Sequence, residues 1–204
     1  MSRRLRYQVA VSLDGFIART DGSFDWIVMD PAIDFAAMYR EFDVAVMGRK
    51  THDVAGAMGD MLPSIETVVF SRTRPPSSSA GVLVTNEDPA AVVKMLKAQP
   101  GRDIWLYGGG ALFRTLLDAG LVDTVELAVI PVLLGSGVPL LPPGASTTLV
   151  LNDQRVLPAS GIVVLAYSIP GGVGPPPTIR FITSPEETPA AGRVGAKKRV
   201  LKPA

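Results

Sequence analysis

The 204-residue chain contains no cysteine and a single histidine, His52. Without cysteine there can be no disulfide, iron–sulfur cluster, thiolate zinc site or cysteine nucleophile. One histidine also rules out a multi-histidine metal site. Long hydrophobic runs are missing as well. The most apolar stretch, Leu127 to Leu141, is broken by Pro131, Gly135, Gly137 and Pro139, and falls short of the roughly 20 residues a membrane helix needs. The apolar segment behind the N-terminal arginines stops at Asp14, too short for a signal-peptide core. A soluble, cytoplasmic protein without membrane attachment is therefore expected.

Apolar residues make up 47% of the chain and charged residues 19%, enough for a buried core. The length suits one domain with an appendage rather than two catalytic domains. The net charge of +1 is unevenly spread. Residues 1–169 carry 14 Lys/Arg against 17 Asp/Glu, whereas residues 170–204 carry 6 against 2, with 7 Pro and 5 Gly. Such a tail cannot bury enough apolar surface to offset its ordering entropy. It reads as a largely irregular extension of a domain spanning 1–169. Its cluster of Arg193, Lys197, Lys198, Arg199 and Lys202 lacks aromatic residues on which bases could stack, so no specific nucleic-acid binding is expected.

Within the body, Arg6 to Val11 alternates as a strand and reaches the turn signal Asp14-Gly15. Asp30-Pro31 forms an N-cap and first-position pair, and Phe35, Met38, Tyr39 and Phe42 recur at helical spacing, which predicts a helix over Pro31 to Phe42. Val44 to Met47 is apolar without alternation, as in a parallel strand covered on both faces. A weak helical segment to Met58 follows, then a strand from Thr67 to Ser71, a loop from Arg72 to Gly81 and a strand from Val82 to Thr85. Asp88-Pro89 starts a capped helix, Ile104 to Tyr107 is a strand, and Gly108 to Gly110 opens a helix that Gly120 terminates. Alternating strands and helices indicate an α/β fold with a largely parallel sheet. Thr124 to Ile130, Thr148 to Leu157 and Gly161 to Ile169 have no helix between them and predict an antiparallel C-terminal edge.

Three segments at strand ends carry groups that suit anions. Gly108, Gly109 and Gly110 lie between an apolar strand and a helix, where bare backbone lets a pyrophosphate approach the helix N-terminal amides. A tight turn that needs small residues is the alternative. Phe113 stands where a third fingerprint glycine would be, so this is not the dinucleotide signature of Rossmann dehydrogenases. Gly48, Arg49, Lys50 and Thr51 place two cations and a hydroxyl at the carboxyl edge of the sheet, and Ser71-Arg72 follows the next strand in the same way. That many cations favour a 2′-phosphate, and so NADP over NAD. Solvated loop charges are the competing explanation for either cluster alone.

Asp34 lies about 40° around the predicted helix from Met38, by the roughly 100° per residue of an α-helix, so its carboxylate can look into a cleft. It could hold a substrate's polar edge or assist protonation. Asp14 is a turn former or a second catalytic carboxylate. Trp26 could stack on a flat ring or belong to the core. His52 has no partner at a fixed spacing.

Val11-Ser-Leu-Asp-Gly-Phe-Ile-Ala18, Val46-Met-Gly-Arg-Lys-Thr51, Phe70-Ser-Arg-Thr73 and Leu106-Tyr-Gly-Gly-Gly-Ala-Leu112 occur in the order seen in dihydrofolate reductase-like proteins. Over residues 5–169 the chain resembles most closely the riboflavin-biosynthesis reductase domain and its stand-alone bacterial relatives. Pro131 to Leu141 is similar to that branch's substrate-side loop, which makes Gly135 and Gly137 substrate-side positions. The resemblance implies a central mixed sheet, a homodimer, NADPH and a small heterocyclic substrate. It places Ala10 and Ile17 at the nicotinamide, Gly48 to Thr51 and Ser71-Arg72 on the adenosine phosphate side, and Gly108, Gly109, Gly110, Ala111 and Leu112 at the pyrophosphate. Where dihydrofolate reductases carry one carboxylate on the first helix, this chain offers Ile33-Asp34. The implied reaction is hydride delivery to a carbon–nitrogen double bond of a phosphoribosylamino-pyrimidine; a pterin reductase or a non-catalytic nucleotide-binding protein are the alternatives.

Overall fold

A computed structural model describes residues 3–56, 62 and 64–172. Its strands are β1 (Leu5–Ser12), β2 (Phe16–Ala18), β3 (Phe42–Gly48), β4 (Glu66–Phe70), β5 (Ser77–Ser79), β6 (Val82–Thr85), β7 (Asp103–Gly108), β8 (Thr124–Ile130), β9 (Val138–Pro139), β10 (Val150–Val156) and β11 (Val163–Ser168). The helices are α1 (Phe35–Tyr39), α2 (Arg49–Gly56), α3 (Pro89–Ala98) and α4 (Gly110–Asp118). The expected extension beyond residue 172 lies outside the described residues. No described helix is long and apolar enough to cross a membrane.

Nine strands form one sheet in the order β10-β11-β8-β1-β7-β3-β4-β6-β5. The six central strands, β8, β1, β7, β3, β4 and β6, run parallel. β11 is antiparallel to β8 and β10 to β11, which gives the expected antiparallel edge. β8 itself belongs to the parallel part, because its whole length pairs with β1 from Arg6↔Thr124 to Ser12↔Ile130.

The non-alternating strands are apolar because both of their faces are covered. Val44, Val46, Ile104 and Leu106 pack with Val92, Val93 and Leu96 of α3 and with Leu112, Phe113, Leu116 and Leu117 of α4. Ala45, Met47 and Trp105 point the other way and meet Met38 and Tyr39 of α1. A third cluster, around Trp26, Ile130, Leu157, Ile162 and Val164, extends that second layer over β8 and β11.

Three further expectations are corrected. The first helix is five residues long rather than twelve. Asp30 accepts from the Ala32 N–H at 2.8 Å and closes a separate turn, and Asp34 takes the N-cap by accepting from the Ala37 N–H at 2.8 Å. Phe42 is fully buried at the start of β3. Secondly, the loop expected over Arg72 to Gly81 contains β5, where three serines pair antiparallel with β6. Lastly, Val138–Pro139, inside the expected substrate-side loop, pairs with β2 as a small second sheet.

Candidate active site

Parallel strands bring their carboxyl ends to one edge, and the three anion-suited segments meet there. Met47 is in register with Gly108, and Gly48 with Phe70. The peptide between Gly108 and Gly109 is cis. A Cβ added to Gly109 would lie 3.3 Å from the Thr51 hydroxyl, so the glycine loop rests directly on the start of α2. Gly109 caps α4 with no side-chain hydrogen bond; its carbonyl accepts the Leu112 and Phe113 N–H groups at 3.0 and 3.1 Å, so the Gly110 and Ala111 amides are the ones at the helix start that suit an anion. Ala111 and Leu112 continue this turn, with Leu112 buried.

The cations sit beside this loop. Lys50 and Arg72 are exposed. Arg49 donates to Asp53 at 2.9 Å, and Arg74 donates to the other oxygen of the same carboxylate at 2.7 Å. The buried Ser71 hydroxyl accepts the Thr73 and Arg74 N–H groups at 3.3 and 2.8 Å, and so shapes the loop after β4. Arg74 and Asp53 were not singled out in the sequence. The Arg49/Asp53 spacing of four residues on a helix was the available signal for one of them.

A roof covers the glycine loop from the other side. A Cβ on Gly110 would approach the Pro139 carbonyl to 2.6 Å and the Leu140 carbonyl to 3.0 Å. Gly137 passes equally close to the Ala18 carbonyl and Phe16, so both glycines are required by close packing of residues 137–140 on the loop and on β2. Gly135 has φ +72°. The Asp14 carboxylate ties this roof to β1: it accepts from the Ser12 hydroxyl at 2.6 Å, from Leu134 N–H at 3.0 Å and from Gly135 N–H at 2.7 Å. The Ser12 hydroxyl, followed by those amides, holds the Asp14 carboxyl below the usual carboxylate range. Both oxygens are thus committed to bracing.

On the sheet face below α1, Ala10 is half-buried opposite Ala128 and packs against the Trp26 cluster with Ile33. Ile17, in β2, is half-buried. Asp34 follows Ile33 and bonds Ala37 through Oδ1 only. Trp26 is 7% exposed and packs among Ile130, Leu157, Ile162 and Val164, with its buried indole Nε1 lacking a hydrogen-bond partner. Tyr107, one residue before the glycines, stands edge-on to Trp105 with centroids 4.9 Å apart. Burial raises its phenol above the ordinary range, Tyr39 raises it further, and Tyr39 is itself raised by burial. Both remain protonated donors at neutral pH.

A mixed, mostly parallel sheet with three ligand-suited loops on its carboxyl edge is a dihydrofolate reductase-like fold. Residues 3–164 match the RibD C-terminal domain, and the chain belongs to that family of reductase-type domains. It is 34% identical over 179 residues to the uncharacterized protein YyaP of Bacillus subtilis (strain 168), covering 81% of this chain and 94% of that one. A putative riboflavin biosynthesis protein from Shewanella sp. PV-4 superposes with a TM-score of 0.70 at 26% identity, over 83% of this chain and 99% of that one. Dihydrofolate reductase from Enterococcus faecalis, solved with NADP(H), shares the fold with a TM-score of 0.62 at 17% identity, over 83% and 99% of the two chains.

Proposed function

We propose that the chain is an NADPH-dependent reductase acting on a carbon–nitrogen double bond of a pyrimidine of the 5-amino-6-(5-phosphoribosylamino)uracil type. The observation that carries the reading is the convergence, on one sheet edge, of the helix amides at Gly110 and Ala111 with the cationic turns after β3 and β4. Bare backbone on one side and guanidiniums on the other suit a ligand with a pyrophosphate and a further phosphate. Membership of a reductase family and a fold shared with an NADP(H)-bound enzyme support the same cofactor.

When bound, the cofactor supplies the hydride; the chain supplies position and water exclusion. Gly108, Gly109, Gly110, Ala111 and Leu112 would hold the pyrophosphate. Gly48, Arg49, Lys50, Thr51, Ser71 and Arg72 would hold the adenosine side, and Ala10 and Ile17 would flank the nicotinamide. The roof segment that contains Gly135 and Gly137 would face the substrate. Of the two carboxylates expected to act chemically, Asp34 is the one we retain as proton donor or anchor, since Asp14 is committed to the roof. A homodimer formed over the exposed β10 edge completes the proposal.

Titration of the purified protein with NADPH and NADH in parallel, by calorimetry or tryptophan fluorescence, tests the cofactor. Micromolar NADPH with much weaker NADH is the expected result; binding of neither removes the reading. With cofactor bound, Asp34→Asn retains an N-cap side chain and should leave cofactor affinity intact while lowering turnover by about 10²-fold or more. Unchanged turnover would take Asp34 out of the chemistry.

A further inference from the structure

Tyr107 is the last side chain of β7 before the three glycines, and it lies with Trp105 on the sheet face that α1 covers. One step past the paired Tyr7 and Leu106 it stands beside Gln8 of β1, two residues short of Ala10 on the same face. On its other flank β3 brings up Met47, the register partner of Gly108 and a member of the same apolar cluster. The ring is thus part of the floor between the nicotinamide position proposed at Ala10 and the helix capped by Asp34. Tyr39 reaches that floor from α1, its ring centroid 5.8 Å from that of Trp105, which is 4.9 Å from that of Tyr107.

Both tyrosines are half-buried, and neither hydroxyl has a hydrogen-bond partner among the described residues. The Tyr7 hydroxyl is also unpartnered but is sealed in the core, whereas those of Tyr39 and Tyr107 stay accessible. A flat aromatic floor that ends in two protonated, unused donors suits a flat ring carrying acceptors. We propose that Tyr107 is a specificity-determining residue for the substrate, its hydroxyl donating to a carbonyl oxygen of the pyrimidine, with Tyr39 a second donor beside it. The inference rests on the reductase reading and deepens it, by stating which feature of the ring the floor recognises. A ring with carbonyls takes up both phenolic protons. A ring with hydrogen in their place leaves those protons unpaired once it has displaced water, which weakens its binding.

The test is calorimetric binding of 5,6-diaminouracil and of 4,5-diaminopyrimidine, the same diamino edge without carbonyls, to the NADP+-bound wild-type chain, Tyr107→Phe and Tyr39→Phe, with melting curves to show that each variant is folded. The wild-type chain is expected to bind the uracil about tenfold more tightly, or better. Tyr107→Phe is expected to lose about tenfold for the uracil and Tyr39→Phe about threefold, with a change of less than about twofold for the carbonyl-free ring. NADP+ affinity should stay the same in both variants. No preference for the uracil in the wild-type chain, or a Tyr107→Phe chain that keeps that preference, would overturn the inference while leaving the cofactor reading in place. A wild-type chain that binds neither NADPH nor NADH would remove the reductase reading, and the role of Tyr107 with it.

Discussion

Asp14 and Gly110 show how single residues fix the geometry of the edge. Asp14 has its pKa depressed by Ser12 and two amides, so its contribution to stability is complete above the ordinary carboxylate range near 4 and is lost as pH falls through the lowered value. Melting temperatures of wild type and Asp14→Asn should therefore differ most at neutral pH and converge in acid; a constant difference down to about pH 2 would contradict the brace. At Gly110 a methyl group has no room against two carbonyls. Gly110→Ala is expected to lower stability by roughly 1–3 kcal/mol, as overpacking does, or to lift residues 139–140 off the loop. Denaturant unfolding would read the first, and increased proteolysis of the roof the second.

Among the elements, α1 depends most on its cap. A five-residue helix has little propagation to offset its nucleation cost, so Asp34→Ala should destabilise the protein by about 1 kcal/mol through the lost Ala37 bond, independently of any chemistry. Circular dichroism melts of Asp34→Ala against Asp34→Asn separate the two effects. The strands and the longer helices could be read from the residues because local signals agreed with packing. Asp88-Pro89 starts α3 and Gly120, at φ +66°, ends α4, both as expected. Two aspartates competed for one cap, however, and the outcome was set by Asp30 closing its own turn, which no periodicity records. β5 and β9 escaped for a similar reason. Ser77 to Ser79 carry little strand propensity, and Val138 is followed at once by Pro139, which has no N–H to donate; both segments pair because a neighbouring strand offers its edge. In the site, glycine and cation clusters were legible as motifs; the Asp53–Arg74 bond was not, since it joins residues 21 apart through a loop shape.

Across the whole molecule, a charged network crosses the sheet at the end away from the site. Arg6, 1% exposed, donates to both oxygens of buried Glu126 at 2.8 and 2.7 Å and to Glu41 at 2.5 Å, with its guanidinium 4.8 Å from the Phe42 ring centre. Burial opposes its charge, but these carboxylates outweigh it and raise its pKa. Glu126→Ala, which leaves the buried guanidinium only Glu41 and the longer contact to Asp103, should cost at most about 3–5 kcal/mol in denaturant unfolding, whereas an apolar replacement of both Arg6 and Glu126 should recover most of it. At the β10 edge of the sheet Val150, Leu151 and Val156 are exposed beside the charged Asp153 and Arg155, an apolar surface on an edge strand to which a second copy could pair. Sedimentation should show a dimer, and Leu151→Lys should shift it towards monomer; a wild-type monomer would reject the β10 association. The tie between Asp14 and the amides of Leu134 and Gly135 joins residues 120 and 121 apart. During synthesis, then, the anion loops, which end at Leu112, are made before residues 134–140 that roof them, so the site can close only once that later segment has left the ribosome.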